Sequence, residues 1–259
     1  MSTIQINNLW IEDSGDNHSE TVLCIHGLGG SSNFWTPVMS SFGNRRVIRP
    51  DLAGAGRTTY VPSKLSIEEH VESLVTILDA LKIDTAHIVA HSMGTIIAQH
   101  LAVNHTARVR SLALFGPLAA PPDPAREAIS KRAALARSGV AALQDIADAI
   151  VAAATSAQTK AENPVTLALV RESIMRQTPE GYALNCEALA NAQAAQIEAL
   201  NIPVLLVTGD EDGVGTPAGT QALAARLKNA RTHVLTGCGH WTTYEKPSEC
   251  QRLLAEFYA

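Results

Sequence analysis

The segment Ala90-His91-Ser92-Met93-Gly94 constrains this chain more than any other. Before it, Ala86-His87-Ile88-Val89-Ala90 is an apolar run of strand length, and after it Thr95 to Val103 reads as a helix. A strand that passes straight into a helix through a serine makes a tight, strained turn. The residues flanking it must be small, because a bulky side chain would collide with the neighbouring strand or helix. Ala90 stands where a glycine is usual, and a methyl is tolerated there. The pentapeptide is short, so its weight comes from the rest of the chain.

A nucleophilic serine needs a base, an acid to orient that base, and two N–H donors for the oxyanion. Three more apolar runs end in loops that carry such groups. Pro203-Val204-Leu205-Leu206-Val207-Thr208-Gly209 opens into Asp210-Glu211-Asp212. Thr232-His233-Val234-Leu235 leads to Gly237-Cys238-Gly239-His240-Trp241. Upstream, Val22-Leu23-Cys24-Ile25 runs into His26-Gly27-Leu28-Gly29-Gly30, a glycine-rich loop able to turn a backbone N–H toward the serine. All fall just past the carboxyl ends of expected strands, where open α/β sheets place their chemistry.

With Pro50-Asp51-Leu52-Ala53-Gly54-Ala55-Gly56-Arg57, these motifs resemble those of α/β-hydrolases from about Thr3 to Tyr258. Their chain order of Ser, acid and His is the one that fold uses. The segment Arg176-Gln177-Thr178-Pro179-Glu180-Gly181-Tyr182 through Cys186-Glu187-Ala188-Leu189 resembles the cap of 3-oxoadipate enol-lactonases and their esterase relatives. The resemblance implies a mostly parallel sheet flanked by helices, with an inserted helical cap. It implies Ser92 as nucleophile and His240 as base. For the acid, Asp210, Glu211 and Asp212 compete. Family loops place it three residues after the glycine that closes the strand, which selects Asp212 and leaves Asp210 as a turn residue bonding its own backbone. Leu28 and Met93 would supply the oxyanion N–H groups, Leu28 by resemblance and Met93 as the residue after the nucleophile. His26 and Asp51 are expected to be structural.

Substrate contacts are less determined. Trp35 and Trp241 each flank a motif loop and are candidates to line the pocket, with simple core packing as the alternative. Arg57, Arg132, Arg137, Arg171 and Arg176 are candidates to bind a substrate carboxylate, with a solvated helix face as the alternative for each.

Helical pattern without convincing strands runs from about Leu118 to Leu200: Pro124 to Arg137, Val140 to Ala154, Pro164 to Arg176 and Pro179 to Ala192. Prolines near the starts suit the first helical turn. The expected organisation is a core over 1–117, a helical cap over 118–200 and a second core part over 201–259. Thr3 to Ile11 is expected to be one antiparallel edge strand. Ser66-Ile67-Glu68-Glu69 opens a helix as a capping box, and a last helix is expected over Pro247 to Phe257.

A chain of 259 residues suffices for one such domain with a modest insertion. The formal net charge of −5, without a basic run, points to neither nucleic acid nor an anionic membrane. Met1 to Asn8 lacks the apolar core of a signal peptide, so a cytoplasmic protein is expected. Cys24, Cys186, Cys238 and Cys250 are scattered and read as small buried residues, with a reactive role for Cys238 near His240 as the lesser alternative. The histidines lack metal-ligand spacing, and no metal or cofactor is expected.

The expected activity is serine-dependent hydrolysis of a small ester or lactone, with an enol-lactone as the leading specific substrate. The alternatives are a general short-chain carboxylesterase, a carbon–carbon bond hydrolase that keeps the same triad, and a hydrolase-fold ligand receptor with little turnover. A dinucleotide site in Gly27-Leu28-Gly29-Gly30 would need a third glycine where Ser32 stands, and would leave the other loops unexplained.

Overall fold

In the computed structural model of the chain, which describes residues 2–15 and 20–259, a sheet of eight strands forms the centre. The strands are β1 (Ser2–Ile6), β2 (Leu9–Asp13), β3 (Thr21–Ile25), β4 (Arg46–Pro50), β5 (Ala86–His91), β6 (Val109–Phe115), β7 (Val204–Gly209) and β8 (Ala230–Leu235). Their order is β1-β2-β4-β3-β5-β6-β7-β8. The pairs from β4 to β8 are parallel, while β1–β2 and β2–β4 are antiparallel. The inner strands β3, β5, β6 and β7 are mostly apolar and buried nearly throughout, with Arg110 of β6 exposed, as suits strands covered on both faces.

The edge differs from the expectation of a single strand over Thr3 to Ile11. A hairpin forms instead, because Asn7 and Asn8 take φ values of 46° and 66°. Asparagine tolerates this left-handed region, and two such residues make the tight turn that matches strand twist. β1 therefore folds back on β2, with Ile4 opposite Ile11.

From β3 the chain moves outward to β4, then returns to the other side of β3 as β5. The loops after β3 and β5 thus leave neighbouring strands in opposite directions, which opens a crevice at their carboxyl ends. Ile25 is in register with Ala90, so the 26–30 loop lies beside Ser92.

Around the sheet pack α1 (Ile67–Ala80) and α2 (Met93–Asn104). The Ser66 hydroxyl caps α1 by accepting from the Glu69 N–H at 3.2 Å. Between β6 and β7 the described chain is helical: α3 (Asp123–Ala136), α4 (Val140–Ala154), α5 (Ala157–Glu162), α6 (Pro164–Met175) and α7 (Pro179–Asn191), followed by one 3₁₀ turn. Four of these lie within two residues of their expected limits. Pro164 and Pro179 occupy first turns capped by the side chains of Asn163 and Thr178. The short α5 was not expected; it is polar and its signal is one N-cap, Ser156, which accepts from the Thr159 N–H. After β7 come α8 (Pro217–Ala224), α9 (Thr242–Glu245) and α10 (Pro247–Phe257). Among the described residues no helix is long and apolar enough to cross a membrane.

Candidate active site

Ser92 sits between β5 and α2 with φ 52° and ψ −123°. A side chain in that region strains the backbone by about 1–3 kcal/mol and persists only where the surroundings hold it. Here the Ser92 N–H donates to the Phe115 carbonyl at 3.0 Å, and the Ser92 carbonyl accepts from the Thr95 N–H at 2.8 Å and its hydroxyl at 2.6 Å. Small neighbours make room: a Cβ on Gly94 would come within 2.6 Å of the Ile25 and His26 carbonyl oxygens. Met93 is the first residue of α2, and first-turn N–H groups have no acceptor inside their own helix.

The loop after β7 meets the loop after β8 beside this turn. Asp212 Oδ2 lies 2.9 Å from His240 Nδ1, and Asp212 Oδ1 accepts from the N–H groups of Val214 (2.7 Å) and Gly215 (2.8 Å). Burial pushes the Asp212 carboxyl up, but the facing His240 and these N–H donors outweigh it and hold the group at about 2. An ionised Asp212 accepts from Nδ1–H, which leaves Nε2 as the acceptor of a neutral His240.

Of the three competing acids, only Asp212 touches His240. Asp210 does not bond merely its own turn, as expected; it reaches across to accept from the N–H groups of Gly237 and Cys238 at 3.0 and 3.1 Å. Glu211 accepts from the Ala157 N–H at the start of α5.

The 26–30 loop is a tight turn, with the Gly30 N–H donating to the Gly27 carbonyl at 3.0 Å. Gly27 is pressed against the strand-to-helix elbow at Ser92, where a Cβ would sit 2.7 Å from Ser92 Cβ. Leu28 follows it, half-buried. His26 supports the loop from behind. Its Nε2 accepts from the Leu52 N–H at 3.0 Å, so Nδ1 carries the hydrogen and donates to the Gly27 carbonyl at 2.8 Å. Asp51 accepts from the N–H groups of Ser32 and Arg57 and from Arg57 Nε, a structural role as expected.

Two further residues shape the site in roles that no sequence motif announces. Glu245, buried, accepts from the N–H groups of Gly239, Trp241 and Ser156 and from the Thr159 hydroxyl, binding the His240 loop to α5. His91 donates from Nε2 to the His240 carbonyl. The Glu245 bonds to Ser156 and Thr159 and the His91–His240 bond join residues far apart in sequence, which a local pattern does not reveal.

The two tryptophans are both buried among other aromatic rings. Trp35 is fully buried in a 3₁₀ segment (Ser32–Phe42) and packs edge-on against Phe34 and Phe115. Trp241 is 3 % exposed and stacks on Tyr244, with Phe34 and His91 alongside. The arginines are mostly paired: Arg57 with Asp51 and Glu12, Arg137 with Glu180 and Glu187, Arg171 with Asp148, and Arg176 with Glu172. Arg132 on α3 lies beside the Tyr182 hydroxyl and the Cys186 thiol. All four cysteines are free and buried, and burial pushes the Cys238 thiol far up, against a thiolate role. Among the described residues no group of three or more His, Cys, Asp or Glu is placed to hold a metal ion.

Residues 20–247 match the family described as alpha/beta hydrolase fold. The chain belongs to that family. Among its α/β-hydrolase relatives is the 2-hydroxymuconate semialdehyde hydrolase of Pseudomonas sp. (strain CF600), 30 % identical over 92 % of this chain and 86 % of the relative. The enol-lactonase from Burkholderia xenovorans LB400 superimposes with a TM-score of 0.90 at 26 % identity, covering 99 % of both chains. A thermophilic esterase from Thermogutta terrifontis shares the fold, with a TM-score of 0.89 at 22 % identity over 100 % of this chain and 98 % of that one.

Proposed function

We propose that this α/β-hydrolase cleaves a small carboxylic ester or lactone through an acyl-enzyme on Ser92. The observation that carries the reading is the Asp212–His240 bond of 2.9 Å beside a serine held at positive φ. In this reading His240 takes the Ser92 proton on Nε2 as the Ser92 oxygen attacks the substrate carbonyl carbon. Leu28 and Met93 N–H groups bind the resulting oxyanion, each worth about 3 kcal/mol in comparable sites. The intermediate collapses with breakage of the acyl C–O bond, and His240 passes its proton to the leaving oxygen. Water, deprotonated by His240, then attacks the acyl carbon and releases the acid, returning the proton to Ser92. Asp212 fixes the imidazole tautomer and stabilises the imidazolium.

An enol-lactone is the leading specific substrate. It fits the mechanism because the enol leaving group departs as a ketone after tautomerising. The enol-lactonase and esterase neighbours support this class. A second reading, carbon–carbon bond hydrolysis, is favoured by the 30 % identity to the 2-hydroxymuconate semialdehyde hydrolase. It uses the same triad on a different scissile bond.

The test is acid release by the wild type and Ser92→Ala. The substrates are 3-oxoadipate enol-lactone, saturated γ- and δ-lactones, short p-nitrophenyl esters and 2-hydroxymuconate semialdehyde. Ser92-dependent turnover fastest on the enol-lactone supports the leading reading. Fast turnover of simple esters with a silent enol-lactone makes it a general carboxylesterase, and preference for the semialdehyde selects the second reading. No substrate turned over more than once would point to a receptor on this fold.

A further inference from the structure

We propose that Ser173, in the last turn of α6, and Gln177, just past its end, are positioning residues for the oxyanion. They hold the Gly27–Gly30 turn by its carbonyls and so keep the Leu28 N–H aimed at the elbow. The inference rests on the reading of Leu28 as an oxyanion donor, and concerns what keeps that donor in place.

Three of the four residues in the turn are glycines, so no side chain of theirs anchors it, and Gly29 lies at φ 72°. Such a backbone is permissive by nature. Oxyanion stabilisation, however, depends on donors fixed in advance to a few tenths of an ångström. The fixing comes from outside the turn. On the sheet side, His26 Nδ1 holds the Gly27 carbonyl at 2.8 Å. On the other side, the Ser173 hydroxyl donates to the Gly29 carbonyl at 2.7 Å. Gln177 Nε2 donates to the carbonyls of Gly29 (3.1 Å) and Gly30 (3.2 Å).

The Gln177 side chain is itself locked. Nε2 also reaches the Ser173 carbonyl at 2.7 Å, and Oε1 accepts from the Gly56 N–H at 3.0 Å, in the turn that follows β4. Both residues are buried. Ile174 and Tyr182 close over Gly29 so tightly that a Cβ there would lie 2.2 Å from Ile174 Cδ1. The helical insertion therefore completes the turn: the sheet side supplies one set of anchors, and α6 with the link that follows it supplies the other.

The variants are Ser173→Ala, Gln177→Met (similar shape, no donor) and the double variant, with Ser173→Thr to restore the hydroxyl. The readouts are kcat and KM for p-nitrophenyl acetate, inhibition by a trifluoromethyl ketone, and thermal melting. The ketone forms a tetrahedral oxyanion on the serine and so reports the donors, which KM does not. The double variant should lose kcat by roughly 10- to 100-fold, with ketone affinity falling in parallel and KM within about twofold. Ser173→Ala should show a smaller loss that Ser173→Thr recovers.

Unchanged kcat, or lost kcat with unchanged ketone affinity, overturns the proposal. If the double variant melts below the assay temperature, the Ser173→Ala and Ser173→Thr pair decides alone. Wild-type turnover unaffected by Ser92→Ala would instead defeat the proposed function itself.

Discussion

His91, the residue before Ser92, donates its Nε2 hydrogen to the carbonyl oxygen of His240 at 2.9 Å, and the two imidazoles lie 4.8 Å apart. Phe34 stacks on the His91 ring at 4.1 Å. The strand that ends at the elbow therefore also holds the loop bearing the proposed base. His91→Ala would leave the His240 carbonyl without this donor and open space behind the ring. We expect kcat to fall about 10-fold or more through misplacement of His240, and stability to fall by about 1–3 kcal/mol. Steady-state kinetics with urea unfolding checks both, and wild-type values for each would contradict the link.

Asp212→Asn keeps the shape of the side chain but removes the charge that selects the His240 tautomer. An amide that donates to Nδ1 leaves Nε2 protonated and unable to accept from Ser92. The expected loss in kcat is about 10⁴-fold, as for the equivalent exchange in other serine triads. Asp210→Asn, at a carboxylate that bonds backbone rather than His240, should cost far less. Equal losses for the two would refute the assignment of the acid.

Gly116 follows β6 at φ 54°, and a Cβ there would lie 2.8 Å from His240 Cε1 and 2.9 Å from Nδ1. Gly116→Ala should lower stability by about 1–3 kcal/mol and lower kcat by displacing the imidazole. Gly213→Ala is the control, because nothing stands within 4 Å of its Cβ position. A Gly116→Ala enzyme with normal kcat would show that the imidazole does not depend on this contact.

Acid should lower the stability of the protein over two pH ranges. Burial holds the imidazoles of His26, His70 and His91 below the ordinary histidine value, His70 at about 4. Folded, they stay neutral; unfolded, they take up protons as pH falls through about 6.5. Their contribution is thus complete above that pH and is lost toward the folded values, about 3 kcal/mol for His70 by pH 4. Asp212 moves the other way, from 3.8 to about 2 on folding, and its contribution disappears only below about pH 4. Urea midpoints should therefore decline from pH 7 to 4.5, and a flat series would contradict neutral buried histidines.

Much of the site was legible because each site loop follows a largely apolar stretch of strand length and carries glycine or another small residue. His26-Gly27 after Ile25, Ser92 after the strand ending in His91, Asp212 after Thr208-Gly209, and Gly239-His240 shortly after Leu235 all stand in such loops. The prolines of α6 and α7 made the helix starts equally plain. What escaped depends on distance in space. The Asn7-Asn8 turn split one expected strand in two through φ values that a hydropathy pattern does not carry. Trp35 flanks a motif loop in sequence, yet the 3₁₀ segment turns it into the core. Asp210 reaches the other loop, Glu245 ties the His240 loop to α5, and Gln177 spans two turns, all by contacts between remote segments.

The most direct test of the central claim is to react the protein with a fluorophosphonate and locate the adduct by intact-mass and peptide mass spectrometry. The account predicts one phosphonyl group per chain, on Ser92, with turnover lost in proportion, and no adduct on Ser92→Ala. Modification at another residue, or full turnover by a chain labelled on Ser92, would contradict it.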